Sequence, residues 1–172
     1  INLDASSLQS QVLVKSVAAA MAGNGLDPSS IEFEVTESNL MRDIDQASRT
    51  LHALQDIGVK LSIDDFGTGY SSLTYLKRFP IDVLKIDRSF VKDLLKDKNG
   101  AALTAAIIAM GHSLDLELVA EGVETWEQVD FLAQRRCFFV QGFLFARPLP
   151  AAEFAALVQS GSSGPRAADP ST

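Results

Sequence analysis

Asn2, Glu34, Asp64, Lys85, Glu121 and Gln141 each stand at or near the end of a short apolar or β-branched segment. In Glu32–Thr36, Phe33 and Val35 alternate with Glu34 and Thr36, so an extended chain puts the apolar pair on one face and the polar pair on the other. The same parity sends Ser62 and Asp64 away from Leu61 and Ile63, and Lys85 and Asp87 away from Leu84 and Ile86. Any one of these residues could be a solvated strand end or a salt-bridge partner. Repeated over successive segments, the pattern gathers acids in one place, and burying carboxylates together without positive charge is costly. The expectation is a set of acids converging on cations.

The donors are carboxylates and an amide, hard oxygen ligands that suit Mg²⁺ or Mn²⁺. His52 and His112 both fall in helical stretches, which argues against a histidine-based zinc site. Asp64 and Asp65 are adjacent and could serve two ions, one carboxylate bridging them. Two ions roughly 3.5–4 Å apart can activate a water and clamp an in-line phosphoryl displacement. Lys85 would then neutralise charge at the attacking water or the phosphorane. Asp65 alone could equally cap a helix. The loop Asp65–Ser72 contains glycine but matches neither common phosphate-loop pattern, and it also reads as a tight βα turn.

Such residues need elements to hold them. Strand-like segments lie at Ile1–Leu3, Ile31–Glu37, Val59–Asp65, Val83–Asp87, Leu116–Glu121 and Phe138–Leu144. Helical periodicity falls between them, over Ser10–Met21, Ile44–Gln55, Asn99–Leu114 and Thr125–Leu132, the last with Gln128 three residues after a capping Thr125. Turns are marked by Gly23-Asn24-Gly25, Asp27-Pro28, Gly58 and Pro80. Alternating βα units predict a parallel sheet, and barrel active sites sit at the C-terminal ends of the strands, where these polar residues fall. A closed barrel needs eight strands and roughly 250 residues. The pattern therefore predicts an incomplete TIM-like (β/α) barrel over residues 1–158, with about six of eight strands, the rest lying upstream. A doubly wound open sheet fits the pattern alone as well. The Ser-, Gly- and Pro-rich stretch 159–172 reads as a disordered tail.

The 172 residues form an ordinary globular mixture, 47% hydrophobic and 22% charged. A net charge of −7 argues against a partner that is a DNA or RNA polymer, but not against a phosphorylated ligand held through cations. Cys137 is the single cysteine, which excludes a disulfide framework and favours a cytoplasmic setting. No apolar run reaches the length of a membrane span, and no signal peptide is visible.

Asp64-Asp65-Phe66-Gly67-Thr68-Gly69-Tyr70-Ser71-Ser72-Leu73 resembles the signature loop of EAL-domain phosphodiesterases. In the family's order stand Phe33-Glu34-Val35-Thr36-Glu37-Ser38, Leu84-Lys85-Ile86-Asp87, Val119-Ala120-Glu121-Gly122-Val123-Glu124 and the run from Gln141 to Pro150. The resemblance covers Ile1 to about Val158. It implies hydrolysis of cyclic di-GMP to linear pGpG, with Asn2, Glu34, Asp64 and Glu121 as metal ligands and Asp65 at a second metal that Asp87 helps to hold. It further implies that Lys85 assists the nucleophilic water, that Glu37 steadies the loop after Asp65, that Glu124 supports the site, and that Gln141 lines water and substrate. Family members often pair near the Asp65–Ser72 loop, so a homodimer is implied, as is upstream fusion to sensor or cyclase domains. The Glu-Ala-Leu motif and the Arg after it are absent, Asp4 stands where Ser is usual, and Arg136 replaces a common Gly. Asp4 and Arg136 carry little weight, but the missing motif and its Arg leave the 172-residue chain expected to be inactive by itself. The missing motif keeps open a catalytically silent cyclic di-GMP sensor, and the residues alone also admit an enolase-like barrel with a Lys base.

Overall fold

The computed structural model describes residues 1–10, 12–67 and 76–159. Six parallel strands lie side by side in chain order: β1 (Asn2–Leu3), β2 (Glu32–Thr36), β3 (Lys60–Phe66), β4 (Val83–Ile86), β5 (Glu117–Glu121) and β6 (Phe139–Gln141). Parallel neighbours require a crossover. It is supplied by α1 (Ala5–Gln9) and α2 (Leu13–Asn24) before β2, and by α3 (Glu37–Leu40) and α4 (Ile44–Gln55) before β3. Helices α5 (Arg88–Lys92) and α6 (Lys98–Ser113) precede β5, α7 (Trp126–Ala133) precedes β6, and α8 (Ala151–Gln159) follows it. Each strand pairs with its sequence neighbour, as in a TIM-like (β/α) barrel, and the sheet is not closed among the described residues. Most of the signature loop (68–75) and the stretch 160–172 of the expected tail lie outside the described residues.

Strand parity builds the core. Phe33, Val35, Leu61, Ile63, Leu84, Ile86, Leu118 and Ala120 are each no more than 4% exposed and pack in one cluster with Leu51, Leu54, Ile108 and Leu132 from the helices. Full burial of such a side chain contributes about 1.5–3 kcal/mol, so this outer layer dominates the stability of the sheet. The opposite parity is thereby left for polar groups.

Two elements differ from the sequence reading by more than one residue at an end. The first long helix starts at Leu13 rather than Ser10, because Ser10 ends the short α1 in an extended conformation. It also runs through Gly23 and Asn24, stopping at the left-handed Gly25, whose N–H bonds back to Met21. The last strand shrinks to Phe139–Gln141. A side chain at Gly142 would meet the Val123 carbonyl oxygen at 2.0 Å, so the chain turns there against the neighbouring backbone instead of continuing the strand. Helices α1 and α5 are too short for periodicity to reveal. Asp4 and Asp87 cap them through the N–H groups of Ser7 and Ser89.

Candidate active site

Lys85 on β4 is buried, 7% exposed, and its ammonium is the meeting point of three strands. Its Nζ lies 2.7 Å from Glu121 Oε1 on β5, 3.1 Å from Glu34 Oε1 on β2 and 3.7 Å from Asp64 Oδ1 on β3. The predicted convergence of Glu34, Asp64 and Glu121 is thus present, with lysine at its centre. Burial alone would lower the Lys85 pKa, but the hydrogen bond and charge of Glu121, then Asp64 and Glu34, outweigh it and hold the group well above the ordinary lysine range. Lys85 is therefore an ammonium at neutral pH. Glu121 is pushed up, first by burial and also by Asp64 and Glu34, with Lys85 pulling the other way.

In a regular strand Asp64 and Asp65 would point to opposite faces. The pairing of β3 with β4 shows why they do not behave that way. Ile63 pairs with Leu84 and Phe66 with Ile86, so two aspartates on β3 stand opposite the single residue Lys85. This is a β-bulge, a device that re-aims side chains at sites. Asp65 accommodates the extra residue with a left-handed φ of 54°, and its N–H donates to Asp64 Oδ1 at 3.0 Å. Phe66 returns to the core at 4% exposure. The helix-cap alternative for Asp65 is replaced by a position inside β3.

Burial, and then the charges of Asp64 and Asp87, push the Asp65 pKa up. Asp87 lies against Asp65 and caps α5; burial opposes its charge, but the hydroxyl and N–H of Ser89 and the N–H of Arg88 leave its carboxyl below the usual range. Glu37, buried in the first turn of α3, accepts from the Gly67 N–H at 3.4 Å and so touches the start of the signature loop. Asn2 pairs in register with Glu34 at the β1 edge, and Gln141 with Glu121 at the β6 edge.

Glu124 turns to Arg88, whose Nη2 donates to Glu124 Oε1 at 2.7 Å. A cleft of about 180 Å³ at the ends of β5 and β6 is lined by Arg88, Glu121, Glu124, Gln141 and Phe143. Arg88 was absent from the sequence expectations. Its signal is a cation in the first turn of a helix, where the macrodipole disfavours positive charge and another role must compensate. His52 and His112 sit in α4 and α6 against the backbone carbonyls of Ser48 and Arg135, away from the acids.

Among the described residues, no group of three or more His, Cys, Asp or Glu side chains is close enough to hold one metal ion; the acids close on Lys85 instead. The donor chemistry nonetheless fits a divalent ion. Glu34, Asp64 and Glu121 meet a single buried ammonium, and Asp65 and Asp87 lie against each other beside Asp64, so the cluster carries surplus negative charge on hard oxygen donors.

The EAL domain family model matches residues 1–148. The bifunctional diguanylate cyclase/cyclic di-GMP phosphodiesterase MucR of Pseudomonas aeruginosa is 49% identical over 158 residues, 92% of this chain and 23% of MucR. The chain thus spans about a quarter of the length of that curated relative. The solved PaMucR phosphodiesterase in complex with c-di-GMP superposes with a TM-score of 0.84 at 50% identity, covering 89% of this chain and 62% of that one. Klebsiella pneumoniae BlrP1, solved in manganese and calcium complexes with cy-diGMP, superposes at 0.79 with 38% identity, covering 86% and 38%. With its strand order, its acid-ringed lysine and a family match over most of its length, this chain belongs to the EAL domain family.

Proposed function

We propose that the protein carrying this chain is a metal-dependent phosphodiesterase that opens cyclic di-GMP to linear pGpG. The convergence of Glu34, Asp64 and Glu121 around Lys85 carries the reading, because separate strands have no packing reason to bring three acids together. The c-di-GMP complex of PaMucR and the manganese and calcium complexes of BlrP1 support it. Asn2, Glu34, Asp64 and Glu121 would hold one ion and Asp65 and Asp87 the other, Mg²⁺ or Mn²⁺ in each case. When bound, such ions supply Lewis-acid charge and a water acidic enough to attack phosphorus at neutral pH.

The chain's own residues do the rest. Lys85, an ammonium at neutral pH, is an electrostatic partner for the attacking water rather than a base that accepts its proton. Glu121, raised by burial and neighbouring acids and bonded to Lys85, would accept the proton that the attacking water gives up. Water oxygen bonds to one phosphorus, the P–O3′ bond breaks, and the leaving oxygen takes a proton to become a hydroxyl. Gln141 and Arg88 face the cleft beside Glu121 and are placed to meet the ligand.

The test is pGpG release by the full-length protein with Mg²⁺ or Mn²⁺, beside Glu121→Gln and Lys85→Met. Turnover that needs the ion and falls at least about a hundredfold in both variants supports the hydrolase. Tight binding of cyclic di-GMP without any turnover would replace it with the sensor reading.

A further inference from the structure

We propose that Gln128 is a positioning residue for the acid cluster, its carboxamide locking the turn that carries Glu121 to the helix that follows Lys85 and Asp87. The proposal rests on the hydrolytic reading for its kinetic consequence, but its structural half stands apart.

Gln128 is 6% exposed and lies in the first turn of α7. Its Oε1 accepts from the N–H of Thr125 at 3.0 Å and of Glu124 at 2.8 Å, while its Nε2 donates to the Val91 carbonyl in α5 at 3.0 Å. An ordinary capping box explains the bond to Thr125 alone. It explains neither the second acceptance nor the reach into another βα unit. Glutamate would serve the box equally well, yet a carboxylate has no donor for Val91. The amide is required by the cross-tie.

The turn 121–125 is bracketed on both sides. At Gly122, with φ +70°, a Cβ would lie 2.2 Å from the Arg88 Cγ, so the arginine stem lies flat on the turn. On the other side the Val123 N–H donates to the Gln141 carbonyl at 3.0 Å. The Arg88–Glu124 pair links the same two units as Gln128, but both partners are about half exposed and solvent screens them. The buried carboxamide is the stronger link. It joins β4–α5, which carries Lys85 and Asp87, to β5–α7, which carries Glu121, and so sets the Lys85–Glu121 approach. Misplacement of a reacting group by about 1 Å can cost on the order of a hundredfold in rate.

The experiment compares Gln128→Glu, which keeps the acceptors and loses the donor, with Gln128→Met, which loses all three bonds. Three readouts are taken on the full-length protein: kcat and KM for cyclic di-GMP with saturating Mn²⁺, backbone amide exchange at Glu124 and Thr125, and the Lys85 ammonium resonance without metal. Expected for Gln128→Glu are retained amide protection, a broadened Lys85 signal, and kcat down about tenfold or more with KM within about twofold. Gln128→Met should also lose the amide protection. Unchanged amide exchange in Gln128→Met, or a wild-type Lys85 signal and kcat in Gln128→Glu, would overturn the proposal. If the wild type releases no pGpG the hydrolytic reading falls, and the exchange and resonance data still decide the cross-tie.

Discussion

Lys85 Nζ lies 2.7 Å from Glu121 Oε1, although the two residues are on different strands and 36 positions apart in sequence. The same ammonium also faces Glu34 and Asp64, so one lysine balances three acids that would otherwise repel each other. Replacing it with Met should cost about 1–3 kcal/mol of stability in metal-free protein, because the half-buried acids lose their counter-charge. Added Mn²⁺ should restore part of that loss. Calorimetric unfolding with and without the ion checks both; a Lys85→Met protein as stable as wild type, and indifferent to Mn²⁺, would show that the acids do not share a charge centre.

Asp65 makes a second, separable prediction. Its left-handed φ of 54° costs a non-glycine residue about 1–2 kcal/mol, and its carboxylate is further disfavoured by burial and by Asp64 and Asp87. Asp65→Gly should therefore be more stable than Asp65→Ala by about 1 kcal/mol, while both lose hydrolysis alike. Chemical denaturation of the two variants measures the difference. Equal stability would mean that the bulge is not strained there.

Cys137 is buried, and burial pushes its thiol up to about 11, against an ordinary value of 9.0. Its ionisation in the folded chain is thus harder than in the unfolded one. The stability this represents is complete below pH 9 and is lost as pH climbs through 11. Wild type should lose stability over that window more steeply than Cys137→Ala. At pH 8 the native thiol should react with a disulfide reagent far more slowly than after unfolding. Rapid labelling of folded protein contradicts this.

The β6 edge carries Phe138 at 68% exposure, Phe139 at 54% and Phe143 at 49%, beside a strand whose outer side is unpaired among the described residues. Open edges and large apolar patches promote pairing with other chains. The 172-residue chain should self-associate with rising concentration in sedimentation velocity, and Phe138→Ser with Phe139→Ser should reduce that association. A monodisperse monomer throughout would count against the edge as a sticky surface.

Much of the site was legible in the amino-acid order because strand parity is a two-residue rule that needs no partner. Phe33, Val35, Leu84 and Ile86 had to share the packed face, which left Glu34 and Lys85 for the other, and Thr125 with Gln128 announced the start of α7. The βα succession likewise pointed to a parallel sheet, while the order of its strands, which a doubly wound sheet would scramble, came from the structure. What only the tertiary structure decided were relations between strands. No local pattern says that Asp64 and Asp65 face Lys85 across a bulge, since register is a property of two strands paired together. Nor could it show that the acids close on an ammonium, that Glu124 turns to Arg88, or that the Gln128 amide reaches Val91, because each contact joins residues brought together by packing alone.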